Sequence, residues 1–194
     1  MECELEKIKI YYEIYGEGFP ILMIHGFYPD HRVMKGCMEP IFEKRTGYKR
    51  IYFDLPGMGK TKGEKWIANS DQMLDITLQF IDKVIPEKKF LVAGESYGGY
   101  LARGVIYKKL KFVEGVCFIC PVIFAEDSRR ELPKHITLIK DSEFISSLIP
   151  SEAIDFEDIA IVQSARIWER YRDEFISGVS IADDKFLTKI REEG

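Results

Sequence analysis

The stretch from Phe90 to Leu110, FLVAGESYGGYLARGVIYKKL, constrains the fold of this chain more than any other part of it. A short apolar run leads directly into glycines around a serine, and a helical pattern follows at once. An abrupt change of direction requires glycine where a β-carbon would clash, and Gly94 and Gly98 stand two residues on either side of Ser96. The segment therefore predicts a strand, a sharp turn and a helix, with Ser96 at the turn.

Strands and helices are predicted to alternate along about two thirds of the sequence. Short apolar runs that predict strands stand at residues 8–15, 21–25, 49–54, 88–94 and 113–124. Helical spacing of apolar residues lies between them, most clearly in residues 69–86. This alternation is typical of the α/β class, in which helices cover both faces of a mostly parallel sheet. The alternation stops near residue 124, and residues 125–194 are predicted to be helical throughout.

The composition excludes several classes of function. A net charge of −4 leaves no basic footprint for nucleic acid, and no apolar run reaches the roughly 18 residues of a membrane span. The charged N-terminus does not resemble a signal peptide, so the cytoplasm is the expected location. Cys117 and Cys120 lie three apart on a predicted strand and point to opposite faces. We therefore expect buried free thiols, no metal site and no cofactor.

The turn around Ser96 has the spacing of a nucleophile elbow, which requires a strand before the serine and a helix after it. The backbone N–H of Tyr97, at the start of the helix, would face a developing oxyanion. A second N–H is expected from Phe27, because His25 and Gly26 directly follow a buried strand and Gly26 allows a close backbone approach. These residues predict a nucleophile beside an oxyanion hole.

The stretch DLPGMGKT raises the alternative of a phosphate-binding loop. That motif requires a glycine five residues before Gly59, where this chain has Asp54. Pro56 also has no N–H to offer a phosphate. A nucleotide site is therefore not expected here.

Together, HGF at residues 25–27, DLPGMGKT at 54–61 and GESYGG at 94–99 resemble motifs of the α/β-hydrolase superfamily, and specifically its prolyl-aminopeptidase-like and esterase-like branch. The resemblance implies an α/β-hydrolase core over residues 1–124 and a helical cap over residues 125–194. It implies that Ser96 is the nucleophile, that Phe27 and Tyr97 form the oxyanion hole, and that Asp54 is structural. His25, Gly26, Gly94 and Gly98 would support the motifs.

The resemblance also implies an acid and then a histidine after the nucleophile, and this sequence departs from that order. His25 and His31 precede Ser96, and His31 is expected to be exposed near a helix start. His135 follows Ser96 but falls in the predicted cap, so it is a weak candidate for the base. Glu126 or Asp127 is an equally weak candidate for the acid. Truncation before the last core strands is the simplest expectation for this departure.

Three functional hypotheses remain open at this point. The first is a serine hydrolase that cleaves a small ester, amide or N-terminal peptide bond through an acyl-enzyme at Ser96. The second is a binding protein that retains the fold without the triad, and the third is a fragment completed by a separate chain. A small molecule or short peptide is the expected ligand, and an incomplete sheet would favour self-association through its open edge.

Overall fold

The computed structural model describes residues 1–193, apart from the side chains of Asp127 and Glu193. These residues form a six-stranded sheet in the order β1-β2-β4-β3-β5-β6. Its strands are β1 (Glu2–Glu4), β2 (Lys9–Tyr15), β3 (Phe19–Ile24), β4 (Tyr48–Phe53), β5 (Phe90–Glu95) and β6 (Val113–Ile119). The four neighbouring strands β4, β3, β5 and β6 run parallel to one another. Strand β1 is antiparallel to β2, and β2 is antiparallel to β4. The predicted α/β class with a mostly parallel sheet is confirmed.

Three helices connect the parallel strands: α1 (His31–Phe42), α2 (Ser70–Val84) and α3 (Tyr97–Lys109). The Asn69 side chain accepts a hydrogen bond from the Gln72 N–H and caps α2, as its residue type favours. Alternate residues of β3 face opposite layers of core. Leu22 packs in the cluster that includes α2 and α3, whereas Met23 packs in the cluster that includes α1. Helices therefore cover both faces of the sheet.

After β6 the chain forms short elements. They are a 3-10 turn (Asp127–Arg129), β7 (Ile139–Lys140), α4 (Ser142–Ser147), α5 (Pro150–Ile159), β8 (Val162–Gln163), α6 (Ala165–Arg170), a π-helical turn (Tyr171–Ile176), α7 (Ser177–Val179) and α8 (Asp184–Glu193). The expectation of helix throughout residues 125–194 was wrong for residues 130–138 and for the β7–β8 pair. Pro133 interrupts a helix there, and β-branched residues such as Ile136 and Thr137 favour extended backbone.

The segment after β6 packs in two ways. Phe156 and Trp168 centre a small apolar cluster of its own. In contrast, α8 inserts Phe186 and Leu187 into the main core, where Phe186 lies against Gly57. The division into a core at 1–124 and a cap at 125–194 stays a prediction. The α8 helix does not fit a separate cap, since its apolar side chains belong to the main core.

Strand β6 is the edge of the described sheet next to β5. Val116 and Phe118 lie on one face of it and remain 47% and 41% exposed. All four cysteines are free, and Cys117 and Cys120 are exposed, so the expectation of buried thiols was wrong for this pair. For Cys117 the reason is its position on this open edge. Within residues 1–193, no helix combines the length and apolar character needed to cross a membrane.

Candidate active site

Ser96 occupies the sharp turn between β5 and α3. Its backbone has φ +50° and ψ −115°, a conformation that costs free energy for a residue other than glycine. Backbone hydrogen bonds hold it there: the Ser96 N–H donates to the Ile119 carbonyl, and the Ser96 carbonyl accepts from the Val122 N–H, both at 3.0 Å. Strained backbone that its surroundings enforce is common at functional sites.

The glycines beside Ser96 permit contacts that a β-carbon would block. A β-carbon at Gly98 would overlap the Ile24 carbonyl oxygen and stand 2.6 Å from that of His25. A β-carbon at Gly94 would stand 2.5 Å from the Gly98 carbonyl oxygen. The strand end, the loop after β3 and the first turn of α3 therefore meet backbone to backbone.

The two candidate oxyanion donors lie on the loop after β3 and at the start of α3. A β-carbon at Gly26 would be 3.2 Å from the Ser96 β-carbon, so the loop after β3 passes directly beside the serine. The rings of Phe27 and Tyr97 contact each other edge to face, with centroids 5.0 Å apart. In the described part of the chain, neither the Phe27 nor the Tyr97 N–H has a hydrogen-bond partner. Both donors are thus available to an oxyanion.

His25 is fully buried and fixes the loop that carries Phe27. The Leu55 N–H donates to its Nε2 at 3.0 Å, so its Nδ1 carries the hydrogen and donates to the Gly26 carbonyl oxygen at 2.7 Å. Burial lowers the pKa of His25, more than the charge of Asp54 raises it. A neutral imidazole with both nitrogens engaged shapes the loop and does not serve Ser96 as a base.

His31 belongs to a second buried cluster, and the expectation that it is exposed was wrong. Its Nδ1 lies 2.7 Å from Asp54 Oδ1, and Asp54 also accepts from the backbone N–H groups of His31 and Lys60. Burial lowers the pKa of His31, but the hydrogen bond and charge of Asp54, aided by Asp30 and Glu13, outweigh it and raise this pKa. Asp54 thus holds the loop after β4 to the start of α1.

This cluster also groups side chains of the types that bind metal ions in proteins. Ligand atoms of Asp30, His31 and Asp54 lie within 4.8 Å of one another. However, the Asp30 carboxylate is bound by the Arg32 guanidinium, and Asp54 is bound as above. Hydrogen bonds within the protein therefore account for the arrangement.

The structure does not bring His135 or Glu126 into hydrogen-bond contact with Ser96. His135 lies exposed in the irregular stretch 130–138, and within the described residues no histidine or carboxylate hydrogen-bonds to the Ser96 hydroxyl. Glu126 is exposed and pairs with Arg129 at 3.7 Å. Asp127, the other candidate acid, has its side chain outside the described residues.

A cavity of about 310 Å³ opens beside Ser96. Its lining residues are Phe27, Tyr28, Ser70, Ser96, Tyr97, Tyr100, Val122, Ala125, Arg130, Ile190 and Arg191. The Tyr97 hydroxyl donates to Ser70 Oγ at 3.0 Å, and burial raises the pKa of Tyr97 to about 12, so this tyrosine stays protonated at neutral pH. The volume suits a small organic ligand.

Sequence reasoning missed two residues of this site. The Glu95 Oε2 atom is buried without a partner in the described structure, beside Gly26. A carboxylate at the end of a buried strand was the available signal. Arg191 is the second missed residue, and it lines the cavity next to Ile190. The available signal was the helical spacing of Phe186, Leu187 and Ile190, which marks the buried face of α8.

Comparison with known proteins places these features in a family. Residues 21–190 match the model of the alpha/beta hydrolase family. An α/β-hydrolase domain-containing protein of Caenorhabditis elegans is 33% identical over 130 residues, which cover 65% of this chain and 27% of that protein. A pimeloyl-[acyl-carrier protein] methyl ester esterase of Legionella pneumophila is 30% identical over 95 residues, which cover 49% of this chain and 35% of the esterase. The chain thus spans between a quarter and about a third of these two relatives.

A solved structure agrees over the whole chain. The crystal structure of an α/β-superfamily hydrolase from Oenococcus oeni superposes with a TM-score of 0.86 at 29% identity, covering 100% of this chain and 71% of that one. An esterase from Exiguobacterium antarcticum shares the fold, with a TM-score of 0.66 at 18% identity over 96% of this chain and 70% of its own.

Proposed function

Because this chain belongs to the α/β-hydrolase family, we propose that it is a serine hydrolase whose nucleophile is Ser96. The proposed substrate is a small ester, amide or N-terminal peptide bond. The observation that carries this proposal is the position of Ser96, strained at the turn between β5 and α3 and lining a cavity of about 310 Å³. Esterases among the similar proteins support the hydrolytic class.

The proposed reaction proceeds through an acyl-enzyme. Ser96 Oγ attacks the carbonyl carbon and loses its proton to a base or to water, and the carbonyl oxygen becomes an oxyanion. The N–H groups of Phe27 and Tyr97 are placed to donate to that oxyanion. The leaving group departs with a proton, and water then hydrolyses the acyl ester and restores the serine.

A second candidate function follows from the surroundings of the Ser96 hydroxyl. No histidine or carboxylate among the described residues hydrogen-bonds to it, and a serine without a base is a poor nucleophile at neutral pH. In serine proteases, loss of a triad member still leaves about 10³–10⁴-fold catalysis over water. The alternative is therefore a binding protein with weak turnover, or a chain that another chain completes.

Location is part of the proposal. All four cysteines are free, although exposed thiols at Cys37, Cys117 and Cys120 would be open to oxidation. Free exposed thiols suit a reducing compartment. We therefore propose a cytoplasmic location.

Hydrolysis of p-nitrophenyl acetate tests the assignment of Ser96. We expect p-nitrophenol release with an acetyl adduct on Ser96 by mass spectrometry, and loss of both in Ser96→Ala. Ser151→Ala, an exposed serine of α5, is the matched control and should behave as the parent chain. Equal release by the parent and Ser96→Ala, with no adduct, would contradict the proposal. A loss in His135→Gln as large as that in Ser96→Ala would identify His135 as the base.

A further inference from the structure

The cavity beside Ser96 is lined in part by arginines from a segment that is acidic overall. Residues 121–194 carry 16 acidic and 10 basic side chains, a net charge of −6. The cavity, however, is lined by Arg130 and Arg191, and by no carboxylate among the side chains that the structure describes. The overall composition of the segment therefore does not describe the side chains that it contributes to the cavity.

Arg191 is held at this cavity by the packing of α8. Phe186, Leu187 and Ile190 are buried in the main core and fix the rotation of the helix. Ile190 lines the cavity, and Arg191, the next residue, lines it with an exposed side chain. Within the described residues no carboxylate pairs with Arg191. Its charge therefore faces the cavity without a carboxylate partner among the side chains that the structure describes.

Arg130 lines the cavity from the segment that follows β6. Its Nε donates to the Phe124 carbonyl oxygen and its Nη2 to the Ala125 carbonyl oxygen, each at 2.8 Å. These bonds engage the Arg130 guanidinium with the protein, so Arg191 is the arginine that could bind an anion.

The rest of the wall is largely apolar. Phe27, Tyr28, Tyr100 and Val122 surround the space between Ser96 and Arg191. We propose that the substrate of the Ser96 site has an apolar body and an anionic group, such as a carboxylate, at the end remote from the scissile bond, and that Arg191 binds this group. This inference rests on the proposed hydrolase function and adds the substrate class.

A purely structural role for Arg191 makes a different prediction. Arg191 lies in the last turn of α8, where a cation stabilises the helix dipole. In that case its removal would weaken the helix and lower the affinity for charged and neutral ligands alike. Recognition of an anion instead requires that only the charged ligand lose affinity, and that lysine substitute for arginine in part.

Ligand binding to the Ser96→Ala variant tests the proposal without turnover. Monomethyl adipate and dimethyl adipate are matched in length and differ in one negative charge. By calorimetric titration we expect the monoester to bind about fivefold more tightly, since exposed ion pairs contribute modestly. Arg191→Gln in this background should abolish the preference and Arg191→Lys should keep most of it. Lys185→Gln removes the same charge from α8 away from the cavity and should leave the preference unchanged.

Salt provides a second readout, because ions screen an exposed pair. The preference for the monoester should shrink as sodium chloride is raised. Equal affinities for the two esters, a preference that survives Arg191→Gln, or no binding of either ester would overturn the inference. Failure of the proposed function is distinguished separately: it would show as hydrolysis by the parent chain that Ser96→Ala does not reduce.

Discussion

The two sides of Ser96 along the sheet differ in how completely the chain encloses them. On the β3 side, the adjoining loops are buried: His25 and Asp54 have no exposed surface, and their polar atoms are hydrogen-bonded to backbone groups. On the β6 side, Val116 and Phe118 remain 47% and 41% exposed, and Cys120 is exposed as well.

This difference separates the two halves of the proposed chemistry. The candidate oxyanion donors Phe27 and Tyr97 belong to the enclosed side and to the helix start, where backbone contacts fix them. On the open side, no histidine or carboxylate among the described residues hydrogen-bonds to the Ser96 hydroxyl, so no general base is identified there. In the proposed reaction, the described residues thus supply donors for an oxyanion but no base that hydrogen-bonds to the Ser96 hydroxyl.

Gly98 gives the sharpest test of the enclosed side. In a helix, alanine is intrinsically favoured over glycine by about 1 kcal/mol. The β-carbon of Gly98→Ala would, however, overlap the Ile24 carbonyl oxygen, which belongs to a buried strand and cannot move away. We expect the clash to win and the free energy of unfolding to fall by about 3 kcal/mol in urea denaturation.

Gly115→Ala on β6 is the matched control for the open side. Its added β-carbon would have one neighbour, Leu91 Cδ2, at 3.0 Å, and that side chain can shift. The free energy of unfolding should change by less than about 1 kcal/mol. Similar losses in the two variants would show that the two sides are equally constrained.

The sequence predicted the strand, turn and helix around Ser96 well because their signals are local. Glycine spacing around Ser96, a strand before it and a helix after it all concern neighbouring residues, and each restricts the backbone directly. The motif at Gly26 adds a single long-range contact that the parallel sheet brings about. The class of the fold followed from the alternation of strands and helices.

The remainder depends on contacts between distant residues, which local patterns do not contain. His31 was expected on the surface, yet Asp54 and Glu13 come from two other strands or loops to bury it. Arg191 reaches the cavity because α8 packs against the loop at Gly57 and Gly63. Short elements such as β7 and β8, each of two residues, leave almost no periodicity to detect.

The open side predicts self-association through β6. An edge strand with apolar side chains and free backbone groups can pair with a second copy. We expect concentration-dependent dimers by sedimentation velocity, and a roughly tenfold weaker dimer, about 1.4 kcal/mol, in Phe118→Lys, which puts a charge on the edge. Tyr107→Lys makes the same change at an exposed aromatic residue of α3, away from the edge strand, and should not alter the dimer. A concentration-independent monomer would contradict this expectation.

Glu95 lies between the two sides, with Gly26 on one side of its carboxyl and Cys120 on the other. Its substitution has the smallest expected effect on stability. Its Oε2 is buried beside Gly26, and the Cys120 thiol lies 3.8 Å from its Oε1. Burial raises the pKa of Glu95, more than the backbone of Gly26 and the thiol of Cys120 lower it. The stabilisation that this protonated carboxyl contributes is complete below the pKa of the unfolded chain and is lost as pH rises through the raised pKa.

Glu95→Gln keeps the shape of the side chain and removes its titration. We therefore expect the free energy of unfolding of the variant, relative to the parent, to increase from pH 4 to pH 7 by about 1 kcal/mol, the order of the cost of a buried polar atom without a partner. Glu126→Gln, an exposed carboxylate next along the β6 side, is the control and should show no such trend. A parallel pH dependence of the parent and Glu95→Gln would mean that water reaches the carboxyl between Gly26 and Cys120, and that the exposed surface on the β6 side extends as far as Glu95.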